Sequence, residues 1–151
     1  MTIFFLTSCI SSKKSETENY SYAENEITKS ELIKPEQNQT ELIVQKILDL
    51  PKLQWIYHPE LEERLPVKLL ETELIGKNFE LNKFGQKVRI ISQSELEKEG
   101  VLDYVIFDQL EIKPDTTDFK ISYKIEGAGC SGKFLKENGK WIILDYSVWE
   151  Y

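Results

Sequence analysis

Few side chains in this sequence could do chemistry, and the first of them is a thiol. Cys9 closes Leu6-Thr7-Ser8-Cys9, behind the short apolar run Ile3-Phe4-Phe5-Leu6 and ahead of a polar Ser/Lys/Glu stretch. Cys130, the second thiol, follows Gly127-Ala128-Gly129 in a strand-like pattern. Free cysteine in that setting behaves as a small buried hydrophobe. Histidine occurs once, as His58 in Trp55-Ile56-Tyr57-His58-Pro59-Glu60. Without a His/Cys/Asp cluster at ligand spacing there is no transition-metal site to propose. Fixed in a loop by Pro59, His58 reads as a surface or capping residue, with proton transfer as the sharper alternative. Asp108 falls on the face made by Leu102, Tyr104, Ile106, Leu110 and Ile112. A carboxylate lining an apolar concavity has its pKa raised by desolvation and can act as a general base. A bulge at that point would instead leave Asp108 in water. The sequence holds no Gly-rich phosphate loop, Gly-x-Ser-x-Gly elbow or calcium loop, and no cofactor is implied. Glu60, Glu62 and Glu63 with Arg64 read as a solvated charged face.

Leu6-Thr7-Ser8-Cys9 resembles a bacterial lipobox, in which a branched or apolar residue and two small residues precede an invariant cysteine. The resemblance implies that the Cys9 thiol is diacylglycerated and residues 1–8 are removed. Secretory signals usually open with positive charge and carry about 7–15 apolar residues. Four stand here and no Lys or Arg precedes Lys13, so residues 1–8 read as a shortened signal remnant. Each buried lipid methylene contributes about 0.8 kcal/mol, and two chains anchor stably where one does not. No apolar run approaches the ~18 residues that cross a bilayer, so the expected protein is anchored to a membrane without spanning it. The expected location is the cell envelope.

A length of 151 residues suits one folded domain. Twenty-six Asp and Glu against 19 Lys and Arg, a net charge of −7, argue against nucleic acid, and no basic stripe is present. Composition divides the chain near residue 40. Residues 9–39 are rich in Ser, Glu, Lys, Asn and Thr, with apolar residues too scattered to pack, and read as a lipidated, disordered tether.

Residues 40–151 must position everything else. Asn38 with Glu41 has the spacing of a capping box. Leu42, Ile43, Val44, Ile47, Leu48 and Leu50 then recur at helical spacing until Pro51. Strand-like stretches follow at 67–75, 87–91, 101–112, 118–126, 133–136 and 141–151, with a helical turn from Ser94 and Glu97 up to Gly100. Asn138-Gly139 is a strong hairpin signal. It sets Glu137 opposite Lys140, Lys136 opposite Trp141, Phe134 opposite Ile143 and Cys130 opposite Ser147. Simple alternation then puts Phe134, Trp141, Ile143, Trp149 and Tyr151 on one face. Leu135, Ile142, Leu144, Tyr146 and Val148 take the other. Two apolar faces predict a central hairpin, with a bulge or bend at Gly127, Gly129 or Gly132.

The glycine-punctuated strand 127–134, the turn Glu137-Asn138-Gly139-Lys140-Trp141 and the final strand Ile142-Ile143-Leu144-Asp145-Tyr146 resemble the close of cystatin-like and nuclear-transport-factor-2-like α+β domains. Enzymes of the pocketed family transfer protons with Asp/His or Tyr/Asp pairs. The counterparts implied here are His58, Asp103, Asp108, Tyr123 and Asp145. The expected fold is α+β, one N-terminal helix packed on a curved antiparallel sheet of five to six strands. The expected function is a non-catalytic binding module of the envelope, with Trp141, Tyr146 and Trp149 as aromatic anchors for an envelope protein or small ligand. One alternative is an acidic inhibitor or immunity-type protein blocking a basic envelope enzyme. Another is a pocketed enzyme using Asp108 or His58.

Overall fold

The computed structural model describes residues 36–150; the signal remnant, Cys9, the tether up to residue 35, and Tyr151 lie outside them. Helix α1 (Gln37–Leu48) starts inside the segment read as tether and buries Thr40, Ile43, Val44, Ile47 and Leu48. Its first turn has no side-chain cap. Glu41 does not fold back toward Asn38; its carboxylate accepts the Glu80 amide at 2.9 Å and ties the helix to the strand region beyond. Pro51 ends the α-helix but not the apolar stripe. A 3-10 segment, Pro51–Tyr57, carries Leu53, Ile56 and Tyr57 into the same core.

Eight strands follow: β1 (Lys68–Leu70), β2 (Asn82–Lys83), β3 (Gln86–Lys87), β4 (Arg89–Ile91), β5 (Val105–Ile112), β6 (Thr116–Tyr123), β7 (Ala128–Glu137) and β8 (Lys140–Glu150). Six form one sheet in the order β4-β1-β5-β6-β7-β8, and β2 and β3 form a separate small ribbon. The α+β class therefore holds. The sheet is mixed, because β1 runs parallel to both β4 and β5. Parallel neighbours need crossovers. One is the segment carrying the β2–β3 ribbon. The other contains helix α2 (Gln93–Glu99), capped reciprocally by Ser92 and Glu95 and closed by Gly100 at φ 66°. The box spacing foreseen at Ser94 and Glu97 sits two residues earlier.

The hairpin closes at Asn138 and Gly139, both at positive φ, and its first four pairs are those the turn dictates. Phe134 faces Ile143, but Lys133 faces Asp145, so Leu144 is an extra residue on β8. Beyond that bulge Cys130 faces Val148, not Ser147. The slip exchanges faces, as a one-residue shift in a period-two strand must. Trp141, Ile143, Tyr146 and Val148 pack toward the core. Ile142, Ser147 and Trp149 lie on the outside. β8 is the sheet edge and not a central strand. Its inner side is covered by the 3-10 segment, whose Lys52 amide donates to the Tyr146 hydroxyl at 3.4 Å. A second bulge sits on β5: Phe107 faces Ile121 while Gln109 faces Lys120, leaving Asp108 without a partner. Neither bulge falls on the glycine-rich strand. Gly129 and Gly132 stay in regular pairing and instead make room for neighbouring side chains.

The core runs from α1 and the 3-10 segment through Leu69, Val105, Phe119, Ile121, Tyr123, Cys130 and Phe134. Thr117 is fully buried in it, and its hydroxyl has no hydrogen-bond partner. An orphaned buried hydroxyl costs about 1–3 kcal/mol, and an apolar group of the same shape avoids that cost. Thr117→Val is expected to raise the unfolding free energy by about 1 kcal/mol, read from the urea midpoint at unchanged slope.

Candidate functional site

The densest gathering of reactive side chains lies where β5 begins and β6 ends. Asp103 precedes β5, Tyr123 closes β6, Arg64 ends a 3-10 turn and Lys68 opens β1. The Tyr123 hydroxyl donates to Asp103. Arg64 reaches the same carboxylate at 3.3 Å and Lys68 at 3.0 Å. Arg64 also holds Glu126 at 2.6 Å. Glu126 passes the chain on to His58, whose Nε2 lies 3.2 Å away while its Nδ1 lies 2.8 Å from Glu60. His58 is positioned by its left-handed backbone, φ 47°, at the end of the 3-10 segment.

Three of the five residues implied for proton transfer thus meet in one network: His58, Asp103 and Tyr123. Their chemistry is already committed. Three donors occupy Asp103, Tyr123 and Arg64 on Oδ1 and Lys68 on Oδ2. Burial, then the hydrogen bond to Asp103, pushes the Tyr123 phenol far above its usual range, so it stays protonated. The His58 imidazole is raised by its hydrogen bond to Glu60 and by the charge of Glu126. An imidazolium held between two carboxylates is an ion-pair bridge. Arg64, read as part of a solvated face, is only 16% exposed in its side chain. Its partners lie 39 and 62 positions further along the chain, beyond the reach of local pattern.

The remaining candidates scatter. Asp108 stands exposed on the β5 bulge, in water and outside any apolar concavity. Asp145 also faces solvent, from β8. Cys130 is fully buried, and burial pushes its thiol up to about 11, an unreactive state at neutral pH. Among the described residues no group of His, Cys, Asp or Glu is placed to hold a metal ion.

The three aromatic anchors do not share a surface. Trp141 is 4% exposed, a core residue with Lys136 over its ring. Tyr146 packs inward beneath Lys52, whose ammonium lies 5.1 Å from the ring centroid. Only Trp149 is on the outer face. Its indole lies over Gly129, where an added Cβ would meet ring carbons at 2.5 and 2.7 Å. The signal for this division lay only in the β8 bulge, which alternation of residue type does not reveal.

That outer face is the other candidate site. On β6 to β8 it lies opposite the side that α1 and the 3-10 segment cover. Its cross-strand rows follow from the register. Trp149, Gly129, Ser122 and Ile106 make one; Ser147, Ser131, Lys120 and Gln109 the next; Asp145, Lys133, Asp118 and Glu111 a third. Ile142 and Leu144, 47% and 63% exposed, lie toward the hairpin end.

Fold and sites together define an α+β protein with an open sheet face. No family model, curated protein or solved structure matches the chain.

Two outcomes test the network. Asp103→Ala takes from the largely buried Lys68 its carboxylate partner and leaves Arg64 with Glu126 alone, and is expected to cost about 3 kcal/mol of stability in urea unfolding. His58 has a folded pKa above its ordinary 6.5, so its contribution is full below 6.5 and fades as pH rises through the raised value. His58→Gln should therefore lower the melting temperature on the acid side of 6.5 and leave it unchanged in alkaline buffer.

Proposed function

We propose that the chain is a lipoprotein anchored through Cys9 to a membrane of the cell envelope, with an α+β domain that binds a partner and performs no catalysis. The anchor rests on the lipobox resemblance of Leu6-Thr7-Ser8-Cys9. The binding role rests on one observation above all: on β8 the outer sheet face carries Trp149, Ile142 and Leu144 partly or well exposed. The paired state of Asp103, Glu126 and His58, and the solvent position of Asp108, support a binding role over proton transfer.

Among the described residues no helix is long and apolar enough to cross a membrane. The attachment would therefore fall to the lipid, and the domain's faces would be left for a partner. Mass spectrometry of the membrane fraction is expected to find a diacylglycerated fragment beginning at Cys9. Cys9→Ala should release the chain into the soluble fraction. Recovery of the intact chain with an unmodified thiol from the cytosol would end the anchoring proposal.

A further inference from the structure

Seven large apolar side chains are exposed among the described residues, and four of them border the network around Asp103. Leu102 and Ile125 each stand one peptide bond from a member, Asp103 and Glu126. The Trp55 carbonyl accepts the His58 amide at 3.3 Å, and the Leu61 carbonyl accepts the Arg64 amide at 2.9 Å. The other three, Leu42, Ile142 and Leu144, belong to α1 and β8. Apolar side chains scattered singly over a surface are ordinary; four tied to one network are a group.

The network holds this group in shape. The backbone from Trp55 to Leu65 turns through successive short-range hydrogen bonds, with His58 at φ 47°. Ion pairs from His58 and Arg64 to Glu126 fasten that loop to the 3-10 turn Lys124–Glu126, and Arg64 fastens it to Asp103 ahead of β5. A surface fixed beforehand loses little conformational entropy when a partner arrives.

Its charges define the partner's. Arg64 and Lys68 are engaged inside by Asp103 and Glu126, so the loop shows mainly carboxylates to water. Glu60, Glu62 and Glu63 are exposed, and among the described residues Glu62 and Glu63 enter no ion pair. Lys124, beside Ile125, is the exposed cation on these segments. An apolar centre with a polar rim is the plan of a protein interface, and tryptophan is among the side chains enriched at its energetic anchors. An anionic lipid surface or a nucleic acid would meet like charge here. A second copy using the same face would set these glutamates against themselves.

We propose that Trp55, Leu61, Leu102 and Ile125 form a docking surface for a protein partner that offers an apolar anchor flanked by lysine or arginine, with Glu62 and Glu63 as the rim that selects it. The inference goes beyond the outer face of β8 and stands or falls separately from it.

The test places photoreactive benzoylphenylalanine in the full chain, in the cells that make it, in place of Trp55, of Ile125 or, for comparison, of Ile142. Each chain is used once its melting temperature matches the parent's, so that position 125 serves if position 55 does not tolerate the probe. Illumination is expected to join positions 55 and 125 to one protein, through a peptide with more Lys and Arg than Asp and Glu. Glu62→Lys with Glu63→Lys, both at exposed positions, should cut that yield about tenfold with the melting temperature unchanged. The assignment is overturned if neither position gives an adduct, or if the adduct is a lipid or a second copy of the chain. It is equally overturned if the joined peptide is neutral or acidic, or if the charge reversal leaves the yield intact. Adducts at Ile142 alone would remove this surface and keep the outer face of β8 as the binding site.

Discussion

Ile43, Val44, Ile47 and Leu48 leave water completely, and so do Leu53 and Ile56 on the 3-10 segment that continues their stripe. That layer covers one side of β5 to β8, and the pattern of those strands follows from it. Inward positions on β5 to β8 are apolar and outward positions are mixed. Polar groups that must sit inside, at the end where β1, β5 and β6 meet, are gathered into a neutralised cluster of Arg64, Lys68, Asp103 and Glu126. Buried charges survive when paired and hydrogen-bonded, and here each carboxylate has at least two donors or cations beside it.

The same constraint separates what local pattern reveals from what it hides. Asn138-Gly139 dictates a turn by backbone preference alone, and four cross-strand pairs follow from it. Helix α1 is legible because its apolar spacing is interrupted only by Pro51. The exchange of faces on β8 is not legible, since Leu144, Tyr146 and Trp149 are apolar or amphipathic on either side of the bulge. Asp108 was ambiguous for the same reason, and the register of β5 on β6 decides it. Parallel pairing of β1 with β4 and β5 involves strands of three residues or a single bridge, too short to carry a periodic signal.

The candidate sites show the same division. Residue types named proton-transfer candidates, and the fold does bring His58, Asp103 and Tyr123 together. What sequence could not show is that Arg64 and Lys68 arrive from elsewhere and occupy them. Conversely, Ser131 and Ser147 carry no motif, and only the register of β7 on β8 sets them side by side on the outer face.

The bulge at Leu144 has an effect beyond turning side chains over. An eleven-residue strand at a sheet margin invites another chain to zip onto it. With one residue too many partway along, and with Lys140, Asp145 and Glu150 spaced over its length, a straight neighbour laid beside β8 falls out of step before reaching the end. Molecules crowded at high density would on these grounds resist stitching together into fibrils.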